Sequence, residues 1–311
     1  MISPQFLRPC GQVPNPNCQG GYSDEESKVK TMRWILLALV TTTAMDAQNY
    51  AVHMSKPVHA GQSYTVTAAV TRLDKTLTGD RVLKAAAFQV NFQGRADVLE
   101  VDGKQQPFKI AFTVERFTKI EGGVTIDLLK SGSVIIADGS QQQPISVKDS
   151  TTEESVRDAF ELIYFPDQPD AFTDDEIFGT KEAKGIGDSW SINPALLSAS
   201  LKGMITVPEG HLSGMVSLVA KDKIANIDCL SLRKELKADD LTSKGVPPGG
   251  TLDRASFQLI IRGCYPIEDS RHSYKEGGEG TMQIRLTSNE GVKIDITRTE
   301  KRDEVWVAAE D

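Results

Sequence analysis

Residues 63–70 read SYTVTAAV, in which Tyr64, Val66, Ala68 and Val70 alternate with Ser63, Thr65, Thr67 and Ala69. Successive side chains of a strand point to opposite faces, so this period of two predicts a strand with one apolar face. The pattern returns downstream. Phe88, Val90 and Phe92 alternate with Gln89, Asn91 and Gln93, and Phe108, Ile110, Phe112 and Val114 alternate with Lys109, Ala111, Thr113 and Glu115. Val124, Ile126 and Leu128 follow the pair Gly122-Gly123, whose tolerance of positive φ suits a hairpin turn. These are half-buried antiparallel strands, and the run of them ends after Gly139.

The middle of the chain changes period. Ser150 with Glu153, or Thr151 with Glu154, forms a capping box ahead of Val156, Ala159, Phe160 and Ile163, which share one helical face until Pro166 and Pro169 stop it. A second capping box, Thr173 with Glu176, opens a short turn that Gly179 closes. Asn193 as N-cap, Pro194 and Gly203 then frame a third helix with Leu197 and Leu201 on one side. Alternation resumes at Leu212, Gly214, Val216 and Leu218, passes through Phe257, Leu259 and Ile261, and ends in Met282, Ile284 and Leu286 followed by Val292, Ile294 and Ile296. Asn289-Glu290-Gly291 separates the last two runs as a hairpin signal. Residues 239–254 and 266–280, rich in Gly and Pro or in Gly alone, read as exposed loops. Gly61-Gln62-Ser63-Tyr64 recurs as Gly187-Asp188-Ser189-Trp190, and Lys119-Ile120-Glu121-Gly122 is echoed by Lys223-Ile224-Ala225-Asn226. Two duplicated halves, or chance plus shared hairpin grammar, give such echoes.

The chain of 311 residues is 39% hydrophobic, 25% charged and 6% aromatic, which fits a globular protein and excludes collagen, coiled coil and wholesale disorder. Its 35 Lys and Arg against 43 Asp and Glu give a net charge of −8, so the surface repels phosphate backbones and anionic headgroups, and nucleic acid is not an expected partner. Lys28, Lys30 and Arg33 precede an apolar run from Trp34 to Val40 that continues through three threonines to Ala44 and Met45 and is stopped by Asp46. That is the order of a secretory signal peptide, too short to span a bilayer as a helix, with Ala44 and Ala47 as cleavage points and Ala47 before Gln48 the first choice; a buried hydrophobic helix is the other reading. No cysteine follows it to take a lipid anchor, and Met32 suits a true start, which would make residues 1–31 a misassigned leader. Residues 1–47 carry Arg8, Lys28, Lys30 and Arg33 against Asp24, Glu25, Glu26 and Asp46, so the mature chain keeps its charge of −8. Export removes Cys10 and Cys18 and leaves Cys229 and Cys264 in an oxidising compartment. Both take the more polar phase of their strands, so they either face each other as a disulfide or stand apart as two free thiols.

The order of signal peptide, Gly-x-Ser-aromatic entry, long antiparallel strands, helical middle, second Gly-Asp-Ser-Trp entry and final hairpin resembles uncharacterised exported β proteins of bacterial envelopes. More distantly it is similar in layout, over residues 61–307, to lipoprotein-carrier-like incomplete barrels. The expected fold is mainly β with a helical insertion: an antiparallel curved sheet or incomplete barrel with residues 48–149 as a first β block, 150–203 as a helical connection and 204–311 as a second β block. The resemblance implies a curved sheet wrapped round a helical plug and an apolar cavity, in the periplasm or envelope of a bacterium. It carries no site residue over.

Familiar chemistries are missing. No G-x-S-x-G elbow occurs, and Ser231-x-x-Lys234 matches a serine-lysine pattern only formally, because a strand places the two on opposite faces. His53, His59, His211 and His272 lack the spacing of a zinc motif, and no metal or other cofactor is expected. Asp167, Asp170, Asp174, Asp175 and Glu176 lack the glycine-punctuated loop of an EF-hand and read as helix capping and solvated linker. Gly277-Gly278-Glu279-Gly280 precedes a strand, not a phosphate-cradling helix. What remains is a ligand site lined by Tyr64, Phe88, Phe112, Phe160 and Trp190 for an apolar small molecule or a cell-envelope component. A structural module with a closed β core and an enzyme with a dispersed site are the other readings.

Overall fold

A computed structural model describes residues 48–201, 205–242, 251–268 and 273–309. Residues 1–47, expected as a leader and carrying Cys10 and Cys18, lie outside the described residues, as do Gly203 and His272. The strands are β1 (Ser63–Thr78), β2 (Arg81–Val101), β3 (Pro107–Glu121), β4 (Val124–Leu129), β5 (Val134–Asp138), β6 (Ile145–Val147), β7 (Ser189–Ser191), β8 (Leu212–Ile224), β9 (Ile227–Ala238), β10 (Thr251–Pro266), β11 (Tyr274–Thr287) and β12 (Lys293–Ala308). Three helices, α1 (Glu154–Ile163), α2 (Asp174–Phe178) and α3 (Pro194–Ser200), fall between β6 and β8.

The strands make one antiparallel sheet in the order β6-β5-β3-β2-β1-β12-β11-β10-β9-β8-β7, with β4 paired to β3 beside this path. The sheet is not closed: it is an incomplete barrel, mainly β with a helical insertion. The first and last strands meet at its centre, and β6 and β7 are its two edges, three residues each. Edges that short offer little template for another chain. The connection from β6 to β7 therefore has to cross the whole sheet, and α1 and α2 lie on that crossing.

One row of the register shows that both halves bury the same face. Val70 pairs with Arg302, Arg302 with Gly278, Gly278 with Ile261, Ile261 with Lys234, and Lys234 with Val216. On this inner face one apolar cluster holds Val66, Phe92, Phe112, Val156, Phe160 and Trp306, under α1. A second holds Phe178, Trp190, Leu197, Leu218, Leu236 and Phe257, under α2 and α3. Each such side chain fully buried contributes about 1.5–3 kcal/mol.

Local sequence reasoning fails at identifiable places. Neither capping box forms at α1, which starts after Glu153 with no side-chain cap, two or three residues beyond the caps expected at Ser150 and Thr151; Thr152 Oγ1 accepts from the amide of Val147 and fastens the end of β6. The box at Thr173 and Glu176 does form, and Asn193 caps α3 as its sequence predicts. Pairing continues past Gly139 to β6. Residues 274–280, expected as loop, are strand: Gly278 and Gly280 pair with Arg302 and Glu300. Thr251–Arg254, expected as loop too, open β10. The entry motifs Ser63-Tyr64 and Ser189-Trp190 each open the first strand of a half, but the second echo joins the β3–β4 turn to the β8–β9 turn, which are not equivalent positions.

Cys229 and Cys264 form a disulfide with Cα atoms 5.6 Å apart, on the face opposite the inner one, beside Ile224. It joins β9 to β10 across a separation of 35 residues. Reduction, or replacement of both cysteines by serine, is expected to remove about 2–4 kcal/mol by releasing the loop in the unfolded chain. Urea unfolding with and without reductant measures this, and an unchanged midpoint would show that the bond does not constrain the chain.

Candidate functional site

The crossing segment from Tyr164 to Phe178 is fastened to the inner face by buried charge. Lys234 on β9 is fully buried, with Nζ 2.8 Å from Asp174 Oδ2 and 3.5 Å from Glu276 Oε2. The same ammonium lies 4.8 Å from the ring centroid of Phe178 and 5.1 Å from that of Tyr265, as cation–π contacts require. Tyr265 Oη donates to Glu276 Oε2 at 2.6 Å. Burial disfavours each charge, but the pairing prevails: Lys234 holds the carboxyl of Asp174 well below the usual carboxylate range, and the facing carboxylates hold Lys234 well above the usual lysine value. These groups bond to one another beneath the crossing segment, which is the arrangement of a latch.

A second fastening sits at the end of α1. Arg302 Nη2 donates to the carbonyl of Ile163 at 2.5 Å and to Glu304 Oε2 at 2.6 Å, placing a cation at a helix C-terminus where the dipole favours it. From the other side the turn between β2 and β3 holds the segment, since Asp102 accepts from the amide of Asp170 and Lys104 Nζ donates to Glu176 Oε2 and to the carbonyl of Ala171. Gly139 lies where the segment crosses β5, and a Cβ there would fall 1.7 Å from the carbonyl oxygen of Asp167. Burial, with the carboxylates of Asp174 and Asp102 nearby, pushes Asp167 up to about 7.

Below the latch, β1 and β12 carry two buried ion pairs, Arg72 with Glu300 and Arg298 with Asp74, each at 2.7 Å. Beyond these runs an apolar band on the same face, formed by the partly buried Ile284, Ile294 and Ile296 with Leu286. Ile284 packs against the second cluster and Leu286 is buried, while Ile294 and Ile296 on β12 are partly exposed.

The five residues expected to line one cavity are split. Tyr64 meets Trp306 edge to face at 5.8 Å, and Phe112 meets Phe160 at 5.0 Å. Phe88 is partly buried in the same cluster, with Lys119 Nζ 4.8 Å above its ring. Trp190 belongs to the other cluster and donates its Nε1 to the carbonyl of Phe178 at 2.7 Å. Between α1 and the sheet the rings of Phe92, Phe112, Phe117 and Phe160 pack against one another, so that space is filled by side chains. Ser231 and Lys234 point to opposite faces, with Ser231 Oγ against Cys264 Sγ. Of the histidines, His53 lies 3.9 Å from Asp175, and His211 groups with Asp239 and Asp240, whose ligand-type atoms lie within 4.8 Å of one another on an exposed turn. An open groove of about 940 Å³ occupies the fork where β3 passes from β4 to β5, lined by Arg116, Asp127, Lys130 and Lys148 and floored by Phe117 and Leu129 at the margin of the first apolar cluster.

Sequence reasoning missed the charged groups of the inner face. Their signal is phase: the alternation of Tyr64, Val66, Ala68 and Val70 continues without a break into Arg72 and Asp74.

No family model matches the chain, and no curated protein does. Among solved structures it is similar to OccK11 (OpdR) of Pseudomonas aeruginosa, at 9% identity over 81% of this chain and 99% of that one, with a TM-score of 0.23. A likeness that weak carries no argument. Among the described residues no helix is long and apolar enough to cross a membrane.

Proposed function

We propose that this chain is an exported, non-enzymatic protein of a bacterial envelope that holds an apolar ligand against the inner face of its incomplete barrel. The observation that carries this reading is the band of Ile284, Ile294 and Ile296 beside the buried Leu286, an apolar stretch of inner face only partly covered by the fold. The space between α1 and the sheet is packed with rings, so the ligand lies beyond the crossing segment and not beneath it. The buried charges serve the fold: Lys234, Asp174 and Glu276 latch the segment that separates the packed half of the inner face from the open one. Apolar surface that a ligand removes from water at this band contributes about 25 cal/mol per Å².

The test is expression with the leader in a Gram-negative host. The protein is expected in the periplasmic fraction with Gln48 at its N-terminus, to release a lipid on organic-solvent extraction, and to bind a fluorescent fatty acid saturably. A cytoplasmic chain still beginning at Met1 or Met32 removes the export reading. A periplasmic protein with no extractable lipid and no saturable binding is instead a structural module.

A further inference from the structure

We infer that Lys84 is the headgroup receptor of this site and that the ligand is a single-chain amphiphile ending in a carboxylate, an inference that deepens the reading above and rests on it. Lys84 is only 3% exposed, and its Nζ has no hydrogen-bond partner among the described residues. An ammonium without a partner is among the costliest groups to bury, so such a position marks a place for a counter-charge. The carboxylate one row away on the inner face is engaged: both oxygens of Asp74 accept from Arg298, at 2.7 and 3.3 Å.

The register places Lys84 at the head of the apolar band. Lys84 pairs with Thr76 beside the irregularity at Thr76/Leu77, Thr76 pairs with Ile296, Ile296 with Ile284, and Ile284 with Ala255 on β10. Four strand spacings of about 4.8 Å carry this row roughly 19 Å across the sheet, the reach of one long acyl chain. The ion pairs Arg72–Glu300 and Arg298–Asp74 wall the band on the latch side. The net charge of −8 works against anions at the surface, which makes recognition by one interior ammonium selective for a ligand whose tail carries its headgroup inside.

The experiment titrates the purified periplasmic protein with a dansyl-labelled long-chain fatty acid and, separately, with its methyl ester. Wild type is expected to prefer the acid by about tenfold to a hundredfold, the worth of one charge-assisted hydrogen bond. Lys84→Met is expected to lose that preference by weakening the acid far more than the ester, and Lys84→Arg to keep most of it. Mass spectrometry of the native extract should return a free fatty acid. Equal affinity of wild type for acid and ester, or an undiminished preference in Lys84→Met, overturns the role of Lys84 and leaves the apolar-ligand reading standing. A phospholipid as the extracted species overturns the single-chain assignment, and absence of saturable binding by either probe overturns both readings.

Discussion

Replacing Lys234 with alanine will destabilise the protein by about 3–5 kcal/mol, because it leaves the carboxylates of Asp174 and Glu276 buried beside one another without their cation. Since a kcal/mol moves the midpoint of a domain this large by roughly 2–4 °C, the melting temperature should fall by about 10 °C. The pair's net worth is smaller than this loss. Lys234→Met combined with Asp174→Leu and Glu276→Gln, which removes the charges together, is expected to recover most of it. The pH dependence follows from the directions of the shifts. Asp174 is depressed in the folded state, so its contribution is present above the unfolded value near 3.9 and is lost as pH falls through the folded one. Lys234 is raised, so its contribution is full below the unfolded value near 10.4 and is lost as pH rises through the folded one. The difference between wild type and Lys234→Ala should therefore be greatest near neutral pH, shrinking in acid as the two carboxylates, raised by burial once the cation is gone, take up protons in the variant, and shrinking in strong base as Lys234 loses its own. Urea unfolding from acid to base measures it; a difference under about 1 kcal/mol at pH 7 would make the latch no stronger than an exposed ion pair.

The strands were legible because each one is amphipathic on its own: Tyr64 to Val70 or Phe108 to Val114 states its inner face without help from any other strand. The pairing of Cys229 with Cys264 was half legible, since their common phase told which face they share, while their separation of 5.6 Å depends on a register that no local pattern encodes. The crossing segment was legible as helices and illegible as a plug. Thr173, Glu176 and Asn193 write their caps locally, but the partner of Asp174 sits 60 residues away on β9, and a lone lysine in an apolar phase is read as noise until its counter-charges are placed. The glycines of β11 misled for a related reason. Gly277 to Gly280 look like a loop because glycine carries no pattern, yet in the sheet Gly278 and Gly280 pair with Arg302 and Glu300, and a Cβ on Gly277 would fall 2.8 Å from Asp303 Oδ1. Size and phase, the marks of the candidate ligand residues, select core aromatics as readily as cavity-lining ones.

That distinction sets the second large effect. Phe160 is fully buried, with its ring centroid 5.4 Å from Phe92, 5.0 Å from Phe112 and 5.8 Å from Phe117, all edge to face. Phe160→Ala removes the transfer energy and three aromatic contacts and leaves a cavity, which together cost about 3–5 kcal/mol. Phe160→Asp adds an unpaired buried carboxylate, and the sum approaches the whole net stability of about 5–15 kcal/mol, so that variant is expected not to accumulate as folded protein. Loss of lipid binding in Phe160→Asp therefore says nothing about a ligand contact. The informative variant is Phe160→Ala, because a space lined by Phe92, Phe112 and Phe117 is apolar, stays dry and takes benzene. Saturating benzene should raise the melting temperature of Phe160→Ala and leave wild type unmoved, since in wild type the ring already occupies that volume. The reverse result, benzene stabilising wild type in a way that Phe160→Leu or a bulkier residue on α1 abolishes, would mean that α1 lifts from the sheet to admit a guest, and the ligand would then lie beneath the crossing segment after all.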